Sequence, residues 1–215
     1  MANALRVCML SGSFEYDSEE SLGLFREHLA AHGGFDDTLI VYSDEDHDPS
    51  LAAIDDTDVL IVFTRRIRVE GAELERVKAY CAAGKPVVGV RTASHAYQNW
   101  LDFDADVLGG SYTGHFGSGP VCEVSAADGA KEHPILDGVS PFGTVGSLYK
   151  NTPIANDTTL LLNGTTPDST EPVAWTRIHN GGRVFCTSLG HQEDFRDADF
   201  LRLLSNGVLW AGGRV

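Results

Sequence analysis

Two short stretches hold the side chains best suited to chemistry. Lys85-Pro86-Val87-Val88-Gly89-Val90 is an apolar run that stops on Arg91-Thr92-Ala93-Ser94-His95. Gly182-Arg183-Val184-Phe185-Cys186-Thr187 repeats the form and stops on Ser188-Leu189-Gly190-His191-Gln192-Glu193. In an open parallel sheet the carboxyl ends of the strands face the ligand crevice. Strands ending this way aim donors and a titratable ring at whatever binds there, and the two tips are expected to share one site. His191 is the candidate general base or acid, with Glu193 to orient it and Arg91 to stabilise a developing oxyanion, because a polarised carbonyl needs a fixed cation and a titratable neighbour. The competing use of Arg91 is an ion pair with Glu15 or Glu193 that only holds the loop.

Around this pair, His95, His115, Tyr112, Tyr149 and Arg65 are candidate substrate-binding residues. His115 sits in the loop Tyr112-Thr113-Gly114-His115-Phe116-Gly117, and loops that combine glycine with His and Tyr line sites more often than cores. Trp100, Tyr97, Phe116 and Tyr149 offer apolar rings for a sugar face or for ordinary packing. Arg65-Arg66 follows another strand, where one guanidinium can reach an anionic ligand and the other faces water. His115 and His191 together could ligate zinc or another borderline metal, with Glu193, His95 or water completing the set, but two histidines alone fall short of the three or four ligands that such a site takes. No metal is assigned and no cofactor is expected. Ser11-Gly12-Ser13 has neither the lysine of a phosphate loop nor dinucleotide-fingerprint spacing. A Gly-x-Ser-x-Gly elbow is also absent from the sequence.

The elements that must position these residues alternate. Strands are expected at Arg6 to Leu10, Thr38 to Tyr42, Asp58 to Phe63 and Val87 to Val90. Between them, Leu22, Phe25 and Leu29 recur at helical spacing, as do Leu74, Val77 and Tyr80-Cys81. The alternation predicts right-handed crossovers and a parallel sheet covered on both faces. From Asp102 to Gly119 the periodicity vanishes. Short strands are then expected at Val121 to Ser125, Thr144 to Leu148, Thr159 to Leu162 and Pro172 to Ile178, with Asn180-Gly181 turning a hairpin into the next. Phe200 to Trp210 reads as a closing helix.

The chain has 215 residues, 42% hydrophobic and 22% charged, which fits one soluble α/β domain over residues 1–215. Its net charge of -15 argues against nucleic acid or an anionic membrane as partner, since both need a basic face. The acidic run Asp44 to Asp48 reads as solvated surface. Met1 to Arg6 lacks the basic-then-apolar pattern of a secretory signal. Cys8, Cys81, Cys122 and Cys186 are widely spaced with no CxxC, as in a reduced cytoplasmic protein.

Several segments in order resemble the ThuA-like (trehalose-utilisation) family, a branch of the class I glutamine-amidotransferase-like fold. They are Gly89 to His95, Gly109 to Phe116, His133 to Gly138, Ser147-Leu148-Tyr149, Pro172 to Arg177, Gly182 to His191 and Leu203 to Ala211. The resemblance implies a flavodoxin-like three-layer fold with a mostly parallel central sheet, helices on both faces and antiparallel strands added in the second half. It also implies a small carbohydrate, a sugar or keto-sugar, as ligand, and it leaves a homo-oligomer open. If it is an enzyme, the reaction is a hydrolysis, elimination or isomerisation; the alternative is a non-catalytic relative that binds a small ligand or a protein. Active amidotransferases of this fold carry a nucleophilic cysteine within Gly-x-Cys-x-Gly. Here the turn reads Gly89-Val90-Arg91-Thr92-Ala93, and a guanidinium, always protonated, is no nucleophile. Many ThuA-like members carry Asp-Glu just before Leu148-Tyr149, where this chain has Gly146-Ser147.

Overall fold

A computed structural model describes residues 3–215; Met1 and Ala2, the first residues of the segment read for a secretory signal, lie outside the described residues. Nine strands form one sheet. In chain order these are β1 (Leu5–Gly12), β2 (Phe35–Val41), β3 (Val59–Thr64), β4 (Val87–Val90), β5 (Cys122–Ala126), β6 (Phe142–Thr144), β7 (Thr159–Thr165), β8 (Thr170–His179) and β9 (Gly182–Thr187). The sheet order is β2-β1-β3-β4-β9-β8-β7-β5-β6. Neighbours are parallel from β2 to β9 and antiparallel from there to β6. The parallel half thus has the order of a flavodoxin-like sheet, with its switch point between β1 and β3.

Burial on both faces explains the near-continuous apolar runs of the central strands. Along β1, Val7 and Met9 enter one core while Cys8 and Leu10 enter the other. Helix α1 (Ser18–His32) buries Leu22, Phe25 and Leu29, and α3 (Ala198–Ala211) buries Leu203, Leu204 and Val208 on the same side. Helix α2 (Gly71–Ala82) covers the opposite face with Leu74, Val77 and Cys81. Each fully buried Leu, Val or Phe contributes roughly 1.5–3 kcal/mol, so these stripes decide which face each helix presents. No helix of the described residues is long and apolar enough to cross a membrane.

The hairpin signal is realised: Asn180 and Gly181 have φ of 50° and 88°, the double left-handed turn that joins twisted antiparallel strands, here β8 and β9. One expected strand is misplaced. Thr144 to Leu148 is not a strand; β6 ends at Thr144, and the residues beyond form an irregular segment. That segment leaves the sheet and makes an isolated bridge between Tyr149 and His115. The aperiodic stretch contains a π-helical turn at Asp104–Leu108, capped by Arg177, whose Nη1 donates to the carbonyls of Ala105 and Asp106 at 3.1 and 3.0 Å.

Helix α3 packs closely on β9 because Gly207 has no side chain: a Cβ there would overlap the Phe185 ring. Gly207→Ala is therefore expected to lower stability by about 1–3 kcal/mol through overpacking, although helix propensity alone would raise it by about 1 kcal/mol. Urea unfolding measures the sign.

Candidate functional site

Register brings the two strand tips together. Val90 of β4 lies opposite Thr187 of β9, so Arg91 falls beside Ser188. Gly190 lets the β9 tip approach: its φ is 121°, and a Cβ would sit 2.8 Å from Val90 Cγ1 and 3.3 Å from Arg91 Cβ. Arg91 itself has φ of 50°, the strained strand-to-helix conformation in which hydrolases hold a nucleophile. It opens a 3-10 turn, Arg91–His95.

The guanidinium of Arg91 is buried, 3% exposed. Its Nη1 donates to the Ser188 carbonyl at 2.7 Å, and its Nη2 to Tyr16 Oη at 3.1 Å and Ser147 Oγ at 3.2 Å. The Tyr149 and Tyr16 rings cover it, with centroids 4.2 and 4.9 Å from Cζ. Neither carboxylate weighed as its ion-pair partner takes that place: Glu15 pairs with Arg65 at 3.0 Å, and Glu193 is exposed. Arg91 thus ties together the β4 and β9 tips, the turn after β1 and the segment after β6. Gly146 and Ser147 both adjoin it, since a Cβ on Gly146 would lie 3.2 Å from Arg91 Nη2.

The imidazoles and tyrosines gather around this centre. His191 contacts the Tyr16 ring edge-on, centroids 5.9 Å apart. His95 stacks on Tyr112 with centroids 4.7 Å apart and planes 17° apart, and Tyr112 leans on Tyr149 at 4.6 Å. His115 lies 6.4 Å from Tyr149, centroid to centroid. Arg91, His191, His95, His115, Tyr112 and Tyr149 therefore form one connected cluster at the carboxyl edge of the parallel strands. Arg65 adjoins it but is engaged by Glu15. Trp100 and Tyr97 stack instead on each other and on Phe103 in the core behind.

Protonation differs among the rings. The His191 Nδ1 accepts from the Glu193 backbone N–H at 3.3 Å, so the neutral ring carries its proton on Nε2. His115 Nδ1 meets the Phe116 carbonyl at 2.7 Å; a carbonyl only accepts, so Nδ1 donates and Nε2 keeps a free lone pair. His95 is pushed down to about 4, first by burial and then by the charges of Arg65, Arg66, Arg91 and His115, so its ring is neutral at pH 7. Glu193 does not orient His191 through its carboxylate, as the spacing had predicted; only its backbone reaches the ring. The buried acid here is Asp194, whose Oδ2 accepts from Gly190 and His191 N–H at 2.9 Å each and whose carboxyl is raised by burial. It shapes the turn that carries His191. No group of three or more His, Cys, Asp or Glu side chains among the described residues is placed to hold a metal ion.

Sequence reasoning missed Tyr16, Asp194 and Asp104. Asp104 Oδ2 accepts the Tyr112 N–H at 2.9 Å, and burial pushes its carboxyl up to about 6. Tyr16 lay in an acidic turn with no apolar period to mark it. A broad depression of about 1140 Å³ opens at the opposite, amino ends of β1, β3 and β4, lined in part by Arg6, Asp58, Lys85 and Arg183. Its polar groups satisfy one another: Arg6 pairs with Asp58 at 2.7 Å, and Arg183 donates to the Trp210 carbonyl at 2.7 Å.

A family model described as trehalose utilisation (ThuA) matches residues 6–211. No curated protein matches the chain. Among solved structures, a ThuA-like protein from Parabacteroides merdae superposes with a TM-score of 0.79 at 17% identity, covering 99% of this chain and 92% of its own. One from Bacteroides uniformis has a TM-score of 0.74 at 20% identity, covering 98% and 93%. A glutamine amidotransferase from Thermotoga maritima reaches 0.57 at 11% identity with 100% of both chains covered. At these identities the likeness is one of fold.

Two outcomes test this geometry. Arg91→Ala is expected to cost about 2–4 kcal/mol in chemical unfolding, because it strands a buried carbonyl, removes cover from two rings and leaves a strained backbone. His95, taking up its proton only near pH 4 when folded but near 6.5 when unfolded, makes the folded state lose stability as pH falls from 6.5 towards 4. Imidazole NMR titration is expected to show its ring resonances unchanged down to about pH 5.

Proposed function

Since this chain belongs to the ThuA family, we propose that it binds a sugar or keto-sugar derivative in the crevice at the carboxyl ends of β1, β3, β4 and β9 and acts on it in carbohydrate utilisation. The observation that carries this reading is the Tyr112–His95 stack on Tyr149, an aromatic platform edged by imidazole nitrogens. A pyranose offers an apolar face and a rim of hydroxyls, and this pairing of ring and polar tip suits both. The fused platform is held from below by Arg91, whose buried guanidinium, bonded through both Nη atoms, makes it a foundation rather than a direct contact.

For a keto-sugar the chemistry falls to the two outer imidazoles. The His191 Nε2–H donates to the carbonyl oxygen as negative charge develops, and the free Nε2 lone pair of His115 accepts a proton from carbon or hydroxyl. Neither role needs a cofactor or a metal. Glutamine hydrolysis through a thioester is outside this reading: Arg91 occupies the strained elbow, and Cys8, Cys81, Cys122 and Cys186 are all buried, with burial raising each thiol. Four free cysteines suit a reducing cytoplasm. One observation favours the alternative of a non-catalytic binder: among the described residues no side-chain carboxylate hydrogen-bonds the His95, His115 or His191 ring, whose hydrogen bonds come from a serine hydroxyl and main chain.

Calorimetric titration with trehalose, glucose and a keto-glucoside tests the reading. Saturable binding is expected, weakened at least tenfold in Tyr112→Ala with little change in the unfolding midpoint. His191→Ala is expected to abolish conversion of the keto-glucoside while retaining binding. A protein that binds none of the three, or whose binding ignores Tyr112→Ala, overturns the proposal; binding without conversion in the wild type selects the non-catalytic alternative.

A further inference from the structure

The chain carries 31 acidic residues against 16 basic ones, yet the charges of Arg65, Arg66 and Arg91 all bear on His95. Arg66 lies two residues beyond the end of β3 and is exposed. Its neighbours in sequence are neutralised, Arg65 by Glu15 at 3.0 Å and Arg68 by Glu45 at 2.7 Å and by Asp46. Among the described residues Arg66 closes no ion pair and its side chain makes no hydrogen bond. Its backbone, with φ of 52°, is held in the left-handed region that non-glycine residues avoid, at a cost of order 1–3 kcal/mol. The bonds that hold it there lead into the site: Arg66 N–H donates to the His95 carbonyl and Ile67 N–H to the Ala96 carbonyl, each at 2.8 Å. The strained turn thus anchors the main chain of Arg66 beside His95 and leaves its guanidinium free.

A second observation points the same way. The charge of Arg66 is felt at both members of the stack: it adds to burial and Arg65 in lowering the proton affinity of His95, and with Arg91 it opposes the upward push of burial on the Tyr112 hydroxyl. Arg91 adds a buried charge with no carboxylate hydrogen-bonded to it, and Glu15, the acid felt at Tyr112, is already paired with Arg65. Asp194, near Arg91, offsets part of that charge, but its oxygen is spent on the Gly190 and His191 N–H groups. A ligand entering the crevice meets a flat aromatic surface and, at its rim, an unsatisfied planar fork of donors. That fork matches carboxylate and phosphate geometry.

We infer that the crevice takes a polyol bearing an anionic group, a carboxylate or a phosphate, and that Arg66 is the side chain that receives it. This narrows the ligand class of the site proposed above and rests on that reading. The neutral part of the ligand lies on Tyr112 and His95, and the anion is held at the end of β3. Arg66 acts in ligand selection, not in the chemistry.

The test is calorimetry at low ionic strength on the full chain with glucose, gluconate, glucose 6-phosphate and inorganic phosphate. One of the two charged sugars is expected to bind at least tenfold tighter than glucose, and which one does so identifies the anion. Arg66→Ala is expected to remove that tenfold advantage while leaving glucose binding unchanged, and Arg66→Lys to restore part of it. Arg202→Ala, which removes an exposed arginine of α3, controls for net charge and is expected to change nothing. Raising the salt is expected to shrink the advantage. Charged sugars that bind no tighter than glucose, an advantage that survives Arg66→Ala, or inorganic phosphate binding as tightly as glucose 6-phosphate each overturn the inference. If glucose still binds and Tyr112→Ala abolishes it, the crevice reading stands without the anion; if no sugar binds at all, both fail.

Discussion

One buried cation organises this end of the molecule. A guanidinium removed from water with no carboxylate against it is costly unless every donor and both faces find partners. Arg91 meets most of that demand with a main-chain carbonyl, two hydroxyls and two aromatic rings, and only its Nε has no hydrogen-bond partner among the described residues. The partners come from three different segments, so the requirement to satisfy one charge fixes three connections at once. Tyr16 is drawn in from the turn after β1, Ser147 and Tyr149 from the stretch after β6, and Ser188 from the tip of β9. The strained backbone of Arg91 persists because all of these hold it.

The tyrosines that solvate Arg91 also build the crevice. Tyr149 carries Arg91 on one side and Tyr112 on another, and Tyr112 carries His95. Asp104 anchors the main chain of Tyr112 from within the π-helical turn, at the point where Gly110 passes so close that any side chain would collide with the carboxylate. A small set of packed rings therefore connects the interior charge to the surface that a ligand would touch. The arginines Arg65, Arg66 and Arg91 act together on His95 in a chain that is acidic overall, while the acidic run near Asp46 is paired with Arg68 at the surface.

The alternation of apolar runs with helical stripes was enough to read the parallel half of the sheet, because central strands buried on both faces and helices buried on one leave different periods in the sequence. Asn180-Gly181 marked its hairpin for an equally local reason, the need for two consecutive left-handed residues. The stretch after Thr144 was misread. Its apolar residues Leu148 and Tyr149 are buried, Leu148 in the core beside β7 and Tyr149 against Arg91 and His115, neither in a ladder, and burial outside a sheet leaves no period to detect.

Residue types and order thus determined, unaided, that this is an α/β chain of the ThuA family, that two strands end in Arg91 and His191, and that no cysteine stands at the bend after β4. Tertiary structure alone decided what those groups touch. Register across β4 and β9 made Arg91 and Ser188 neighbours, 97 residues apart in the chain, and turned the expected oxyanion contact into a buried fastening. It passed the orienting of His191 from the Glu193 side chain to its main chain, and it left Arg66, not Arg65, as the free cation. Such pairings depend on distances between segments that share no local pattern, and only the folded chain sets them.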